Sequence, residues 1–119
     1  MIAVTLATVA ALATPALAPA RMLVFADEFR LNASRARVPA GPLHLQLRNI
    51  GEDDHDLVIR SRRDGRRVAA SPEVHPGRGA EVRVRLRPGR YLLFCSVADH
   101  EERGMRVELR AAAPSKRPS

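Results

Sequence analysis

Beyond residue 20 the chain is written in short runs that alternate apolar and polar side chains. Leu43-His-Leu-Gln-Leu47 sets three leucines on one face and His44 and Gln46 on the other. Val82-Arg-Val-Arg-Leu86 and Met105-Arg-Val-Glu-Leu109 repeat the pattern. A period of two in runs of this length predicts half-buried strands. Leu57-Val-Ile59 and Tyr91-Leu-Leu-Phe94 are continuous apolar runs, which predicts strands covered on both faces. Met22–Ala26 and Glu28–Asn32 supply further strands near the start of this region. Turn-forming residues fall between the runs, at Pro39-Ala-Gly-Pro42, Asp64-Gly65, Pro76-Gly77 and Pro88-Gly89. No segment here has a helical period, and residues 66–74 offer at most a short turn. Seven or eight short strands at regular spacing predict an all-β domain, a two-sheet antiparallel Greek-key sandwich.

Residues 1–20 break this pattern. They carry no charge, are rich in Ala, Val and Leu, and end in Ala18-Pro19-Ala20, a small-x-small pattern of the kind that precedes signal cleavage. The segment is read as a signal peptide, with an uncleaved N-terminal anchor as the alternative, since about 20 apolar residues can just span a bilayer. The reading divides the chain into a leader (1–20), one domain (21–110) and a small, polar, disordered tail (111–119). Export places the domain in a periplasmic or other extracytoplasmic compartment, where oxidising conditions leave a lone cysteine without a partner. Cys95 is that lone cysteine. Metal ligation would both explain and protect it; a buried structural thiol is the plainer alternative.

The residues around Cys95 favour the metal. Cys95, His100 and Met105 lie within eleven residues and offer a thiolate, an imidazole and a thioether. Such a soft, mixed nitrogen–sulfur set suits copper, because sulfur donors stabilise Cu(I) while imidazole accepts either oxidation state. A trigonal His₂Cys site with a weak axial Met needs a second imidazole. His55, after Asn49-Ile-Gly51 and before Leu57-Val-Ile59, is the candidate. Taken singly, His55 could be a surface turn residue and Met105 a core methionine filling a gap. His44 and His75 read as surface residues.

The ordered set His55, Cys95, His100, Met105, with Asn49-x-Gly51 before the first, Gly104 before the last and Pro88-Gly-Arg-Tyr91 leading into the cysteine strand, resembles the cupredoxins, the blue-copper proteins of the plastocyanin and azurin type. The resemblance covers roughly residues 21–110. It implies one type 1 copper held by His55, Cys95, His100 and Met105, and a non-enzymatic carrier of one electron between a redox donor and acceptor. Asp56 stands where the family often has Asn. An ionised Asp can only accept, so its expected partner is the Ser96 hydroxyl or a backbone N–H, tying the two ligand segments, with a solvated turn carboxylate as the alternative. Tyr91 resembles a corner tyrosine bonded to backbone. Copper delivery or storage is the alternative function, though a domain with Met22 and Met105 as its only methionines is poor in the thioethers of open chaperone sites. The paired His-x-His motifs of multicopper oxidases are missing. The domain is read as a monomer, and the net charge of +7 predicts an electropositive surface that attracts redox partners bearing an acidic docking face. Nucleic acid is excluded as a partner by export and by a count of only four aromatic residues for stacking on bases. Membrane contact arises only if residues 1–20 are retained.

Overall fold

Alternation fixes which side chains share a face, and the architecture follows from burying those faces together. The computed structural model describes residues 1–11 and 18–114. The tail residues 115–119, and part of the leader reading, lie outside the described residues. Among the described residues nine strands form: β1 (Ala20–Asp27), β2 (Arg30–Ala33), β3 (Arg37–Pro39), β4 (Gly41–Asn49), β5 (Val58–Ser61), β6 (Arg67–Ala70), β7 (Gly79–Leu86), β8 (Gly89–Phe94) and β9 (Arg106–Ala112). They make two sheets in the orders β2-β1-β4-β7 and β3-β9-β8-β5-β6. Met22, Val24, Leu43, Leu45, Leu47 and Val82 from the first sheet meet Val38, Ile59, Tyr91, Leu93 and Leu109 from the second in one core. No helix among the described residues is long and apolar enough to cross a membrane.

The sandwich is as expected, but the sheets are mixed and not wholly antiparallel. β1 pairs parallel with β4, and β3 with β9. Between β1 and β4 the chain makes a hairpin to β2, crosses to the other sheet for β3, and re-enters beside β1 running the same way. Alternation is identical for either direction, so the pattern alone does not distinguish them. Two strands were not foreseen. β3 is only three residues with one buried side chain, Val38. β6 occupies the segment read as a possible turn; it is an exposed edge strand, without an apolar face to announce it. β9 also continues through Ala112, with Ala111 buried and paired to both Val38 and Gly89. Ala111 and Ala112 therefore belong to the sheet and not to a tail.

The continuous apolar runs are buried on both faces, as read. Val58, Leu92 and Phe94 form a second cluster on the outer face of their sheet. Two guanidinium groups cover it, Arg60 at 4.6 Å and Arg67 at 5.6 Å from the Phe94 ring centroid. Arginine can shield apolar surface while keeping its charge in water. At the opposite end of β8, the Tyr91 hydroxyl donates to the Arg87 carbonyl at 2.7 Å, the corner role expected of it.

Candidate metal centre

Strand register determines which residues meet at the end of the sandwich. Phe94 pairs with Val58 on one side and Arg106 on the other, so Cys95, Leu57 and Met105 lie next to one another just beyond the sheet. The Cys95 N–H donates to the Met105 carbonyl at 3.1 Å, and the Met105 N–H donates to the His100 carbonyl at 3.1 Å. Residues 97–104 form a run of turns between them. Gly104 has φ +105°, a conformation costly for any residue with a Cβ, which accounts for the glycine before Met105.

His55 arrives from a separate loop. It does not begin a strand: β5 starts three residues later, and His55 instead forms an isolated bridge to Val74, with N–H to carbonyl distances of 3.1 and 2.7 Å. Asn49 shapes the loop. Its buried amide donates to the carbonyls of Asp53 and Val74, each at 2.8 Å, and its Oδ1 accepts the Gly51 N–H at 2.9 Å. The Asn-x-Gly motif thus closes residues 49–53 and aims the chain at the site.

The result is a triangle of donor atoms. His55 Nδ1 and His100 Nδ1 are 3.2 Å apart, Cys95 Sγ is 3.5 Å from His100 Nδ1, and Cys95 Sγ is 3.9 Å from His55 Nδ1. A point equidistant from the three lies about 2 Å from each, inside the ~2.0–2.3 Å range of bonds from a first-row metal ion to nitrogen and sulfur. Two imidazole lone pairs facing each other so closely need a proton or a cation between them. The set therefore fits a type 1 copper site in both chemistry and spacing. Cys95, His55 and Met105 are fully buried, and His100 is 5% exposed. Burial pushes the Cys95 thiol above its ordinary pKa.

Neighbouring groups hold this triangle. The Asp56 N–H donates to Cys95 Sγ at 3.5 Å. The Asp56 carboxylate accepts the Ser96 N–H at 2.6 Å and also the Ser96 hydroxyl, the tie expected between the two ligand segments. His100 is less accessible than a loop position implies. Phe29 packs on it with ring centroids 5.1 Å apart, and Asp53 Oδ2 lies 3.5 Å from its Nε2. Arg103 in turn covers Phe29 at 4.8 Å and is held by Asp99 at 2.8 Å. On the other imidazole, His55 Nε2 lies 3.2 Å from Glu28 Oε1. The Asp53 and Glu52 N–H groups, with His55, hold the Glu28 carboxyl below the ordinary carboxylate range. Glu28 and Phe29 had no signal in the sequence, since both come from a turn more than twenty residues before His55. The two other histidines stay apart from the site: His44 contacts Glu81 and Arg21 on a sheet face, and exposed His75 contacts Asp54.

No family model and no curated protein matches this sequence. Solved structures do. A "blue" copper protein, auracyanin A of Chloroflexus aurantiacus, superposes with TM-score 0.66 at 15% identity, covering 79% of this chain and 99% of its own. An azurin from Methylomonas sp. strain J gives TM-score 0.62 at 16% identity, covering 82% of this chain and 100% of its own. Dithionite-reduced auracyanin from Roseiflexus castenholzii gives 0.62 at 16%, with 82% and 99% covered. The fold is that of the cupredoxins.

Proposed function

We propose that this chain is an exported type 1 copper protein carrying one electron at a time between redox partners, in which His55, Cys95, His100 and Met105 would hold the copper. The observation that carries the reading is the closed triangle of two imidazole nitrogens and one sulfur, with edges of 3.2–3.9 Å. Copper held there supplies a one-electron Cu(II)/Cu(I) couple. The protein's part is to hold the donors still. Each comes from a segment tied by backbone bonds to another: Cys95 to Met105, Met105 to His100, His55 to Val74. A cage set by the sandwich in this way resists rearrangement between oxidation states, which keeps electron transfer fast. Burial of Cys95 and the cover of Phe29 over His100 keep water from the donors.

Burial also separates this reading from its competitors. A copper chaperone has to expose its ligands for hand-off, whereas three of these four have no exposure. A nucleophilic cysteine likewise needs a route to substrate, and Cys95 has none. Export is supported by the uncharged residues 1–11, which are exposed throughout.

Titrating the metal-free domain with Cu(II) is expected to produce an intense blue absorption band that saturates at one equivalent. Uptake with only the weak colour of an ordinary copper–imidazole complex would overturn the assignment.

Met105 is tested separately. Met105→Gln is expected to keep the colour and to lower the potential, because an oxygen donor favours Cu(II) over Cu(I). A shift on the order of tenfold in the relative affinity for the two states corresponds to about 59 mV. Voltammetry of the two proteins side by side checks it; equal potentials would make Met105 a packing residue.

A further inference from the structure

The β1–β2 turn consists of two residues, Glu28 and Phe29, between the paired Asp27 and Arg30. Each addresses a different imidazole: Glu28 contacts His55, and Phe29 packs on His100. Phe29 is a cover. Glu28 does more, because its carboxylate is built into the ligand loop. A single oxygen, Oε1, accepts the Glu52 N–H and the Asp53 N–H, each at 2.7 Å, and lies 3.2 Å from His55 Nε2. Room for it comes from Gly51. A Cβ there would overlap Glu28 Oε1 and lie 2.7 Å from Oε2. The glycine of Asn49-x-Gly51 therefore has a second function besides closing its own turn: it admits a carboxylate from the β1–β2 turn.

Resting on the copper reading above, we propose that Glu28 is a positioning residue that fixes His55 with its proton on Nε2 and its Nδ1 lone pair toward the metal, and that its charge biases the site toward Cu(II). The chemistry is direct. An ionised carboxylate is only an acceptor, so the nitrogen facing it must carry hydrogen. That leaves the other nitrogen as the electron-pair donor, the pairing by which a ring's outer hydrogen bond selects which nitrogen meets a metal. A negative charge on the far side of the ring strengthens the donor and opposes the gain of an electron at the metal. Asp56 makes no equivalent contact with either ring; it serves Ser96 and, through its N–H, the sulfur.

Three variants separate charge, hydrogen bond and space. Glu28→Gln keeps a carbonyl oxygen able to accept the same N–H groups but removes the charge. It is expected to retain the blue band and to lose Cu(II) affinity about tenfold relative to Cu(I), at the lower end of the roughly 10–100-fold typical of outer-shell partners. For one electron, tenfold is about 59 mV, here toward higher potential. Glu28→Ala removes the acceptor as well, and Gly51→Ala should reproduce it by expelling the intact carboxylate. Nitrogen-15 NMR of the metal-free proteins reads the tautomer without any copper: His55 should carry its proton on Nε2 in the wild type and in Glu28→Gln, and on a mixture of nitrogens in the other two. A potential in Glu28→Gln equal to that of the wild type overturns the charge effect. A wild-type His55 protonated on Nδ1 alone overturns the positioning role. If the wild type binds Cu(II) without the blue band, the copper reading fails, and the tautomer of the metal-free proteins still decides for or against Glu28 as the residue that orients His55.

Discussion

Cys95→Ser is expected to abolish the blue band completely. The colour of such a site arises from charge transfer out of a thiolate sulfur, and Cys95 is the sole source of one in the chain. Serine preserves much of the shape. The Cys95 backbone bond to Met105 involves the main chain only, and the Asp56–Ser96 tie does not involve the sulfur, so the loops should stay in place. What changes is the donor: a hydroxyl is harder and far less readily deprotonated than a thiol, and Cu(I) gains little from it. The loss of Cu(I) affinity should exceed the roughly 10–100-fold that follows removal of an outer partner. Two imidazole nitrogens 3.2 Å apart remain and should still hold Cu(II) weakly. Absorption spectra and copper titrations of both proteins check this, with thermal unfolding of the metal-free forms showing that the fold is intact. A surviving blue band would remove Cys95 from the metal.

Much of this candidate site was legible because its potential donors are chemically conspicuous and three are close in sequence. Cys95, His100 and Met105 sit on one strand–loop–strand unit, so local spacing alone groups them. His55 was readable only through its Asn-x-Gly turn and the apolar run after it. Its bridge to Val74 was not, because Val74 lies in a segment with no strand pattern. Glu28 and Phe29 were invisible for a different reason. They reach the imidazoles only because β1 and β4 run parallel, bringing the ends of both strands to the same edge. Strand direction leaves no trace in an alternating pattern. The same ambiguity concealed the mixed sheets, and the shortness of β3 and the exposure of β6 concealed two strands. Burial of the strands was more legible than their pairing: Leu57–Ile59 and Tyr91–Phe94 announced a second covered face before Arg60 and Arg67 were known to cover it.

Charge is where composition and arrangement diverge most. The net charge of +7 favours an acidic partner for the molecule as a whole. Eight of the 13 carboxylates, however, lie in the three segments around the donor triangle: Glu28; Glu52, Asp53, Asp54 and Asp56; Asp99, Glu101 and Glu102. Those segments contain one arginine, Arg103, and it is paired with Asp99 and stacked on Phe29. The remaining arginines belong to the strands and the other loops, and of these Arg60 pairs with Glu101 at 3.3 Å. Screening then decides which charge a reagent feels. At physiological ionic strength the Debye length is about 8 Å, so a reagent docking over Phe29 and His100 responds to the local carboxylates more than to distant arginines. Oxidation of the reduced protein by a cationic cobalt(III) complex is therefore expected to slow by on the order of tenfold from low to physiological salt, within the range known for electrostatic steering. An anionic oxidant such as ferricyanide should show a weaker salt dependence. Reversing Asp53 and Asp99 to lysine together should exchange the two behaviours, whereas reversing Arg85 and Arg87, which lie outside these segments, should change little. Stopped-flow rates across a salt series check both. If ferricyanide is instead the reagent that slows steeply with salt, the arginine-bearing faces govern encounter, and the acidic docking face expected from net charge is the right description of the partner.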